Sequence, residues 1–248
     1  MLLIICHPYD DTAKYFYAYC ERRSPGMAVL VNADILTSAK TWELQLRNNE
    51  PAYFHCELHN GKILDTSNVS AIFNRTQYID IGNWKAAGKT EKNYAEQEFY
   101  AFFLGWLYSF KGIISNLPTA QCMSGVFKQV MVWRNLAAQS GMPVLDYDSS
   151  ATAASPSSPL HSKNRRQNVY ITGDTIIGHL PGMPATDLLM EFARQQQCNF
   201  LELLFERENK RWKFDTANAF STQFHTSQKC METLYQHFSA ILKKELWY

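Results

Sequence analysis

The sequence predicts an α/β protein built in two parts, a parallel sheet between helices over residues 1–147 and an antiparallel sheet with helices over residues 168–248. Three observations point there. The chain opens strand–helix–strand, the unit from which parallel sheets are made. Its last third alternates hairpin signals with helical stripes. Between the two parts, residues 148–167 (DSSATAASPSSPLHSKNRRQ) show no apolar periodicity and read as a polar linker.

Leu2-Leu3-Ile4-Ile5-Cys6 is a continuous apolar run, as expected of a strand buried on both faces. Asp10, Asp11 and Thr12 are N-cap candidates, and Ala13, Phe16, Tyr17 and Cys20 follow at helical spacing until Ser24-Pro25-Gly26 breaks the pattern. Residues 27–31 supply the second strand. Asn60-Gly61, between residues 52–58 and 62–65, is a strong hairpin signal because both residue types tolerate positive φ. Residues 69–73 form a further apolar strand leading into Asn74-Arg75-Thr76, and residues 80–90 read as a loop.

Two helices come next. Over residues 91–110, Ala95, Phe99, Phe102, Phe103, Trp106 and Phe110 share a face; over 123–140, Val126, Val130, Trp133 and Ala137 do. A brief strand at 112–115 separates them, and Gly141 with Pro143 suits the second helix's end. Beyond the linker, residues 168–172 and 175–179 flank a Gly173-Asp174 turn. A helix over 186–196 turns Leu188, Leu189, Phe192 and Ala193 inward. Strands over 200–205 and 211–216 pair across Asn209-Lys210, and a helix over 227–246 places Met231, Leu234 and Phe238 on one face.

The 248 residues carry 24 Lys and Arg against 23 Asp and Glu, a net charge of +1, which excludes nucleic-acid binding by a broad basic field. The basic cluster Lys163-Arg165-Arg166 reads as a solvated part of the linker. Six scattered cysteines without a C-x-x-C pair indicate reduced thiols and a cytoplasmic protein. No apolar run reaches membrane-spanning length, so no membrane partner is expected.

Candidate chemistry is sparse in the residues themselves. Cys6 and His7 follow the first strand, where open α/β sheets bind ligands, but His7-Pro8-Tyr9 replaces the glycines a phosphate loop requires. His55 and His59 would share a strand face with Cys56 turned away, which suits a hairpin better than a metal site. Glu96 and Glu98 lie early in a helix, where negative charge is favoured.

Several motifs, taken in order, resemble the graspetide-type (microviridin-type) peptide ligases and their RimK-like relatives in the ATP-grasp superfamily. The opening strand with Asp10-Asp11-Thr12-Ala13 looks like their first strand and helix, and Val31-Asn32-Ala33-Asp34 is similar to their L-N-T-D stretch. Lys62-Ile63-Leu64-Asp65 with Asn74-Arg75 resembles their hairpin and strand end. Glu98 and Ile114-Ser115-Asn116-Leu117-Pro118 resemble the glutamate helix and the W-V-N-x-P signature. Phe127-Lys128, Asn135-Leu136-Ala137 and Gly141-Met142-Pro143-Val144 are similar to K-x-x-Q-L-x-x-A-x-x-x-G-L-x-V-P. Val169-Tyr170-Ile171-Thr172-Gly173-Asp174 resembles V-Y-V-V-G-D, and residues 214–218 followed by Phe224 align with F-L-E-V-N-P.

The resemblance implies a pre-ATP-grasp (Rossmann-like) domain over 1–147 and a truncated ATP-grasp remnant over 168–248, with residues 148–167 standing where the family has its nucleotide-binding lobe. It assigns Lys128 and Arg75 to cofactor binding, and Asn218 and Glu202 to the metal. Thr216 occupies the family's glutamate position and Ala219 its proline position. Asp215 is a nearby carboxylate, but strand alternation turns it to the opposite face. The implied function is that of a degenerate ATP-grasp homologue, a pseudoenzyme that has lost ligation and binds a peptide, a small molecule or a partner enzyme, with no cofactor expected. The alternative is an ATP-dependent carboxylate–amine (peptide) ligase, working with a partner or as a minimal enzyme, with ATP and Mg²⁺ as cofactors. A lost lobe would uncover sheet surface, so tight packing of the two parts or a homodimer is expected. A third reading, a thiol enzyme on Cys6 and His7, requires a reactive Cys6.

Overall fold

In the computed structural model, which describes residues 1–48, 52–79, 88–119, 122–146 and 165–245, the opening apolar run is strand β1 (Leu2–Cys6), wholly buried. Helix α1 (Asp11–Arg23) follows, and the Asp10 carboxylate caps it by accepting from the Ala13 amide at 3.1 Å. Strand β2 (Ala28–Asn32) lies parallel to β1 on one side. Strand β6 (Ala71–Arg75) lies parallel on the other and carries β7 (Ile113–Ile114) at the edge, giving the order β2-β1-β6-β7. The chain therefore reverses its direction of travel across the sheet between β1 and β6.

A short helix α2 (Ala33–Thr37) and strands β3 (Thr41–Gln45), β4 (Tyr53–Glu57) and β5 (Ile63–Asp65) come between β2 and β6. The three strands form an antiparallel sheet in chain order. The β4–β5 hairpin forms where Asn60-Gly61 predicts it. Only Gly61 takes a positive φ (81°), while the Asn60 side chain accepts from the Lys62 amide at 3.0 Å. Neither α2 nor β3 stands out in the sequence, because residues 33–45 follow neither a period of 2 nor one of 3.6 over any length.

Helix α3 (Lys89–Ser109) starts two residues before the predicted one, held by Glu91 accepting from the Gly88 amide at 2.7 Å. Its Phe103, Trp106 and Leu107 pack with Leu3, Ile5 and Ile72 on one face of the parallel sheet. Most of the predicted 80–90 loop lies outside the described residues. The second predicted helix is shorter than expected, since α4 spans only Val130–Gln139. The preceding segment is pinned irregularly by Asn74 donating to the Met123 carbonyl at 2.6 Å. It also needs Gly125 at φ +123°, where a Cβ would stand 2.7 Å from that of Asn116. Tertiary bonds there override the helical stripe.

The second half is an antiparallel sheet in the order β11-β10-β8-β9, made of β8 (Arg165–Thr172), β9 (Thr175–Ile177), β10 (Phe200–Glu208) and β11 (Arg211–Asn218). Asn209 and Lys210 both adopt positive φ in the β10–β11 turn. Strand β8 begins three residues before the predicted strand, so Arg165 and Arg166 are strand residues paired with β10, and Arg166 bonds Glu206 at 3.2 Å. Helix α5 (Thr186–Gln195) buries Leu189, Phe192 and Ala193 with Trp133 and Ala137 of α4 against this sheet. Helix α6 (Gln228–Glu245) closes the described chain. With α1 it forms a core shared by both sheets, joining Phe16, Phe73, Phe200, Phe224 and Phe238.

Candidate functional site

The carboxyl ends of β1 and β6 meet the end of β11 and the turn after it, and three cavities open along that line. The first, of 470 Å³, is walled by Lys128 and Trp133 on one side and by Thr216 and Asn218 on the other. The second, of 420 Å³, lies across β11 and is lined by Glu202, Thr216 and Asn218. The third, of 620 Å³, sits over the loop after β1.

Antiparallel register sets Glu202 directly opposite Asn218, so the hairpin itself brings the two expected metal residues together. Glu202 is half-buried and accepts from Asn168 at 2.9 Å. Burial raises its pKa above the usual carboxylate range; the neighbouring Tyr170, Ser221 and Asn168 side chains and the Arg75 charge oppose this without cancelling it. Asn218 uses its amide locally, accepting from the Phe220 amide at 2.9 Å and donating to the Phe220 carbonyl at 2.8 Å. Lys128 places its ammonium 5.6 Å from the Trp133 ring.

Arg75 lies elsewhere. Its side chain is 2% exposed and forms a bidentate pair with Asp10 at 2.7 and 3.1 Å, with the Phe220 ring 4.3 Å away. Its donors face Asp10 rather than the cavities beside Lys128 and Glu202, so the structure gives it a place in the core. Asp215 pairs with Arg134, on the face away from Thr216 as alternation requires. Burial pushes the Cys6 thiol up to about 12, so the thiolate that a Cys6 enzyme needs is not formed near neutral pH. Glu98 is exposed, and His55 sits in β4 beside a buried Cys56.

No family model matches the chain, and no curated protein matches it significantly. Solved structures do. The RiPP-associated ATP-grasp ligase of Chryseobacterium gregarium, solved with ADP and a leader and core peptide, matches with a TM-score of 0.66 at 11% identity, over 98% of this chain and 96% of that one. Macrocyclase MdnC of Microcystis aeruginosa MRC, bound to precursor peptide MdnA, gives 0.68 at 11% identity over 98% and 100%. The ATP-grasp ligase PsnB, with minimal precursor, Mg and ADP, gives 0.63 at 12% identity over 98% of each chain. The chain has an ATP-grasp ligase fold.

An ATP-grasp fold implies ATP and Mg²⁺, and the residues present do not fit the metal. Mg²⁺ is held in near-octahedral geometry mainly by carboxylate, phosphate and water oxygens. Here one carboxylate, Glu202, faces the strand end; Thr216 is neutral, and the Asn218 carbonyl already takes the Phe220 amide. Among the described residues no group of three His, Cys, Asp or Glu could hold a metal ion.

A raised Glu202 pKa has a measurable sign. The unfolded carboxyl ionises at its ordinary value, about 4.3, whereas the folded one keeps its proton to higher pH. Its contribution to stability is therefore fully present below that ordinary value and is lost as pH rises through the folded pKa. Glu202→Gln keeps an acceptor for Asn168 and removes the ionisation. It should raise the melting temperature at pH 7 relative to the parent, with the gain disappearing near pH 4 in paired thermal melts.

The sequence missed Gln77, Phe220 and Thr222, which line both the first and third cavities. Phe220 and Thr222 follow the Asn218 motif closely enough to have been suspected. Gln77 follows the Asn74-Arg75 motif as closely, but only the fold brings it beside the end of β11 from the other half of the chain.

Proposed function

We infer that this protein retains the ATP-grasp fold as a peptide-binding protein and has lost ATP-dependent ligation. One observation carries the reading: the strand end that should present paired carboxylates presents Glu202 alone, opposite Asn218 and beside Thr216. Chain length agrees with it. Only 18 residues separate Asp146 from Arg165, and a single βαβ crossover already takes on the order of a dozen, so a nucleotide-binding lobe has no chain to be built from. The domain division follows from this, with a pre-ATP-grasp part and an ATP-grasp remnant joined by residues that replace the lobe.

A peptide is the favoured ligand because the similar ligases were solved with precursor or leader peptides bound. Six free cysteines, and no helix among the described residues long and apolar enough to cross a membrane, favour the cytoplasm as its place of work. The ligase reading retains one support, since Lys128 and Asn218 do line a single cavity. Calorimetric titration with Mg-ATP separates the two. No heat of binding and no ADP release are expected; micromolar binding with hydrolysis, lost in Lys128→Ala, would establish the ligase instead.

A further inference from the structure

The third cavity lies at the point where the parallel sheet reverses its direction of travel, between the carboxyl ends of β1 and β6. Open α/β sheets bind ligands at such points, commonly anions held by a glycine loop and free helix amides. Here that arrangement is pre-empted. His7-Pro8-Tyr9 supplies no glycine, the Asp10 carboxylate caps α1 by taking the Ala13 amide, and Asp11 adds a second carboxylate in the first turn. The crevice is built against anions.

Its walls suit the opposite charge. The Tyr78 ring stacks on His7 at 4.2 Å and 28°, and Tyr15 stacks on His225 at 5.1 Å and 7°. Tyr9, Tyr15 and Tyr78 stay 92%, 58% and 59% exposed, which is unusual for three large rings around one crevice. Asp10 and Asp11 are the charged residues of the lining; Asp10 is spent on Arg75, while the Asp11 side chain is 75% exposed and pairs with surface Lys14 at 3.3 Å, an exposed contact that a bidentate guanidinium can displace. Hydrogen bonding adds an acceptor. Thr12 gives its one hydroxyl proton to the Thr222 carbonyl at 2.8 Å, so its contact with His225 Nδ1 at 3.0 Å requires the ring nitrogen to donate. That tautomer leaves Nε2 of neutral His225 as an acceptor.

We propose that this crevice binds the guanidinium of an arginine side chain carried by a peptide. Guanidinium is planar, stacks on tyrosine and imidazole faces, carries donors only, and pairs with carboxylates. Asp11, His225 and the tyrosine rings match each of those properties. That the arginine belongs to a peptide rests on the function inferred above; the arginine preference rests on the crevice alone.

The test uses the full chain and three acetylated, amidated tripeptides, of arginine, lysine and glutamate, with the His and Tyr ring signals followed by NMR. Triarginine should shift the His7, His225, Tyr15 and Tyr78 signals and bind more tightly than trilysine, and triglutamate should leave them still. Tyr78→Ala and Asp11→Asn should each weaken triarginine by about two- to five-fold, and Tyr15→Ala with Tyr78→Ala by about tenfold. Tyr94→Ala, an exposed ring outside the crevice, should change nothing. Equal binding of arginine and lysine, stronger binding of triglutamate, or triarginine affinity unchanged in the double tyrosine variant would overturn the proposal. None of these outcomes bears on the Mg-ATP titration, so either reading can fail alone.

Discussion

Asp10→Ala should destabilise the protein by about 3–5 kcal/mol, the usual cost of leaving one member of a buried ion pair uncompensated. The Asp10 and Arg75 side chains are 6% and 2% exposed, so water cannot take over the lost interaction. The α1 cap is lost as well, since the same carboxylate accepts from Ala13. For a chain of this size the melting temperature should fall on the order of 10 °C. Adding Arg75→Met to that variant should restore much of the loss, because it removes the orphaned charge while keeping an apolar contact with Phe220 and Phe224. Thermal melts of the two variants check both statements, and a double variant no more stable than Asp10→Ala would contradict the assigned role.

Asn116→Ala should cost about 3 kcal/mol, the second large effect. This buried side chain donates to the carbonyls of Phe200 at 2.9 Å and Ala219 at 3.2 Å, and accepts from the amides of Asn199 and Phe200 at 3.1 Å each. It comes from the end of the parallel sheet and bonds the start of β10 and the end of β11, so it ties the two halves together. Removing it leaves the carbonyls of Phe200 and Ala219 and the amides of Asn199 and Phe200 without this partner. Denaturant titration should show the unfolding free energy falling by that amount, and Asn116→Asp should not rescue it, since a carboxylate cannot donate to the two carbonyls.

Much of the local architecture is legible in the amino-acid sequence. β1 and α1 follow from an apolar run and a capped amphipathic stripe, and the β4–β5 and β10–β11 hairpins follow from Asn60-Gly61 and Asn209-Lys210. The departures have tertiary causes. Residues 123–129 carry a helical stripe yet are not helical, because Asn74 and Thr119 bond their carbonyls and Gly125 takes a φ that other residues rarely adopt. β8 starts early because β10 offers it a pairing partner as far as Arg165, whatever the polarity of the added residues.

The candidate site divides the same way. Hairpin register counted from the Asn209-Lys210 turn puts Glu202 opposite Ala217, and only the irregularity between Leu204 and Phe205 moves it opposite Asn218. Arg75 cannot be placed so. Its sequence offers a cation after a strand, and only the fold puts it 2.7 Å from Asp10, sixty-five positions earlier in the chain, and removes it from the cavities.

By itself, then, the sequence determined most of the strand and hairpin framework, the scattered cysteines and the balanced charge. These depend on residue identity and on neighbours within about one helical turn, where periodicity and turn preferences operate. Tertiary structure alone decided that Arg75 is a core residue, that burial raises the pKa of Glu202, that Asn116 ties the halves, and that three tyrosines surround a crevice with Asp11. Burial and pairing arise from contacts between segments far apart in the chain, and the local pattern of any one segment carries no record of them.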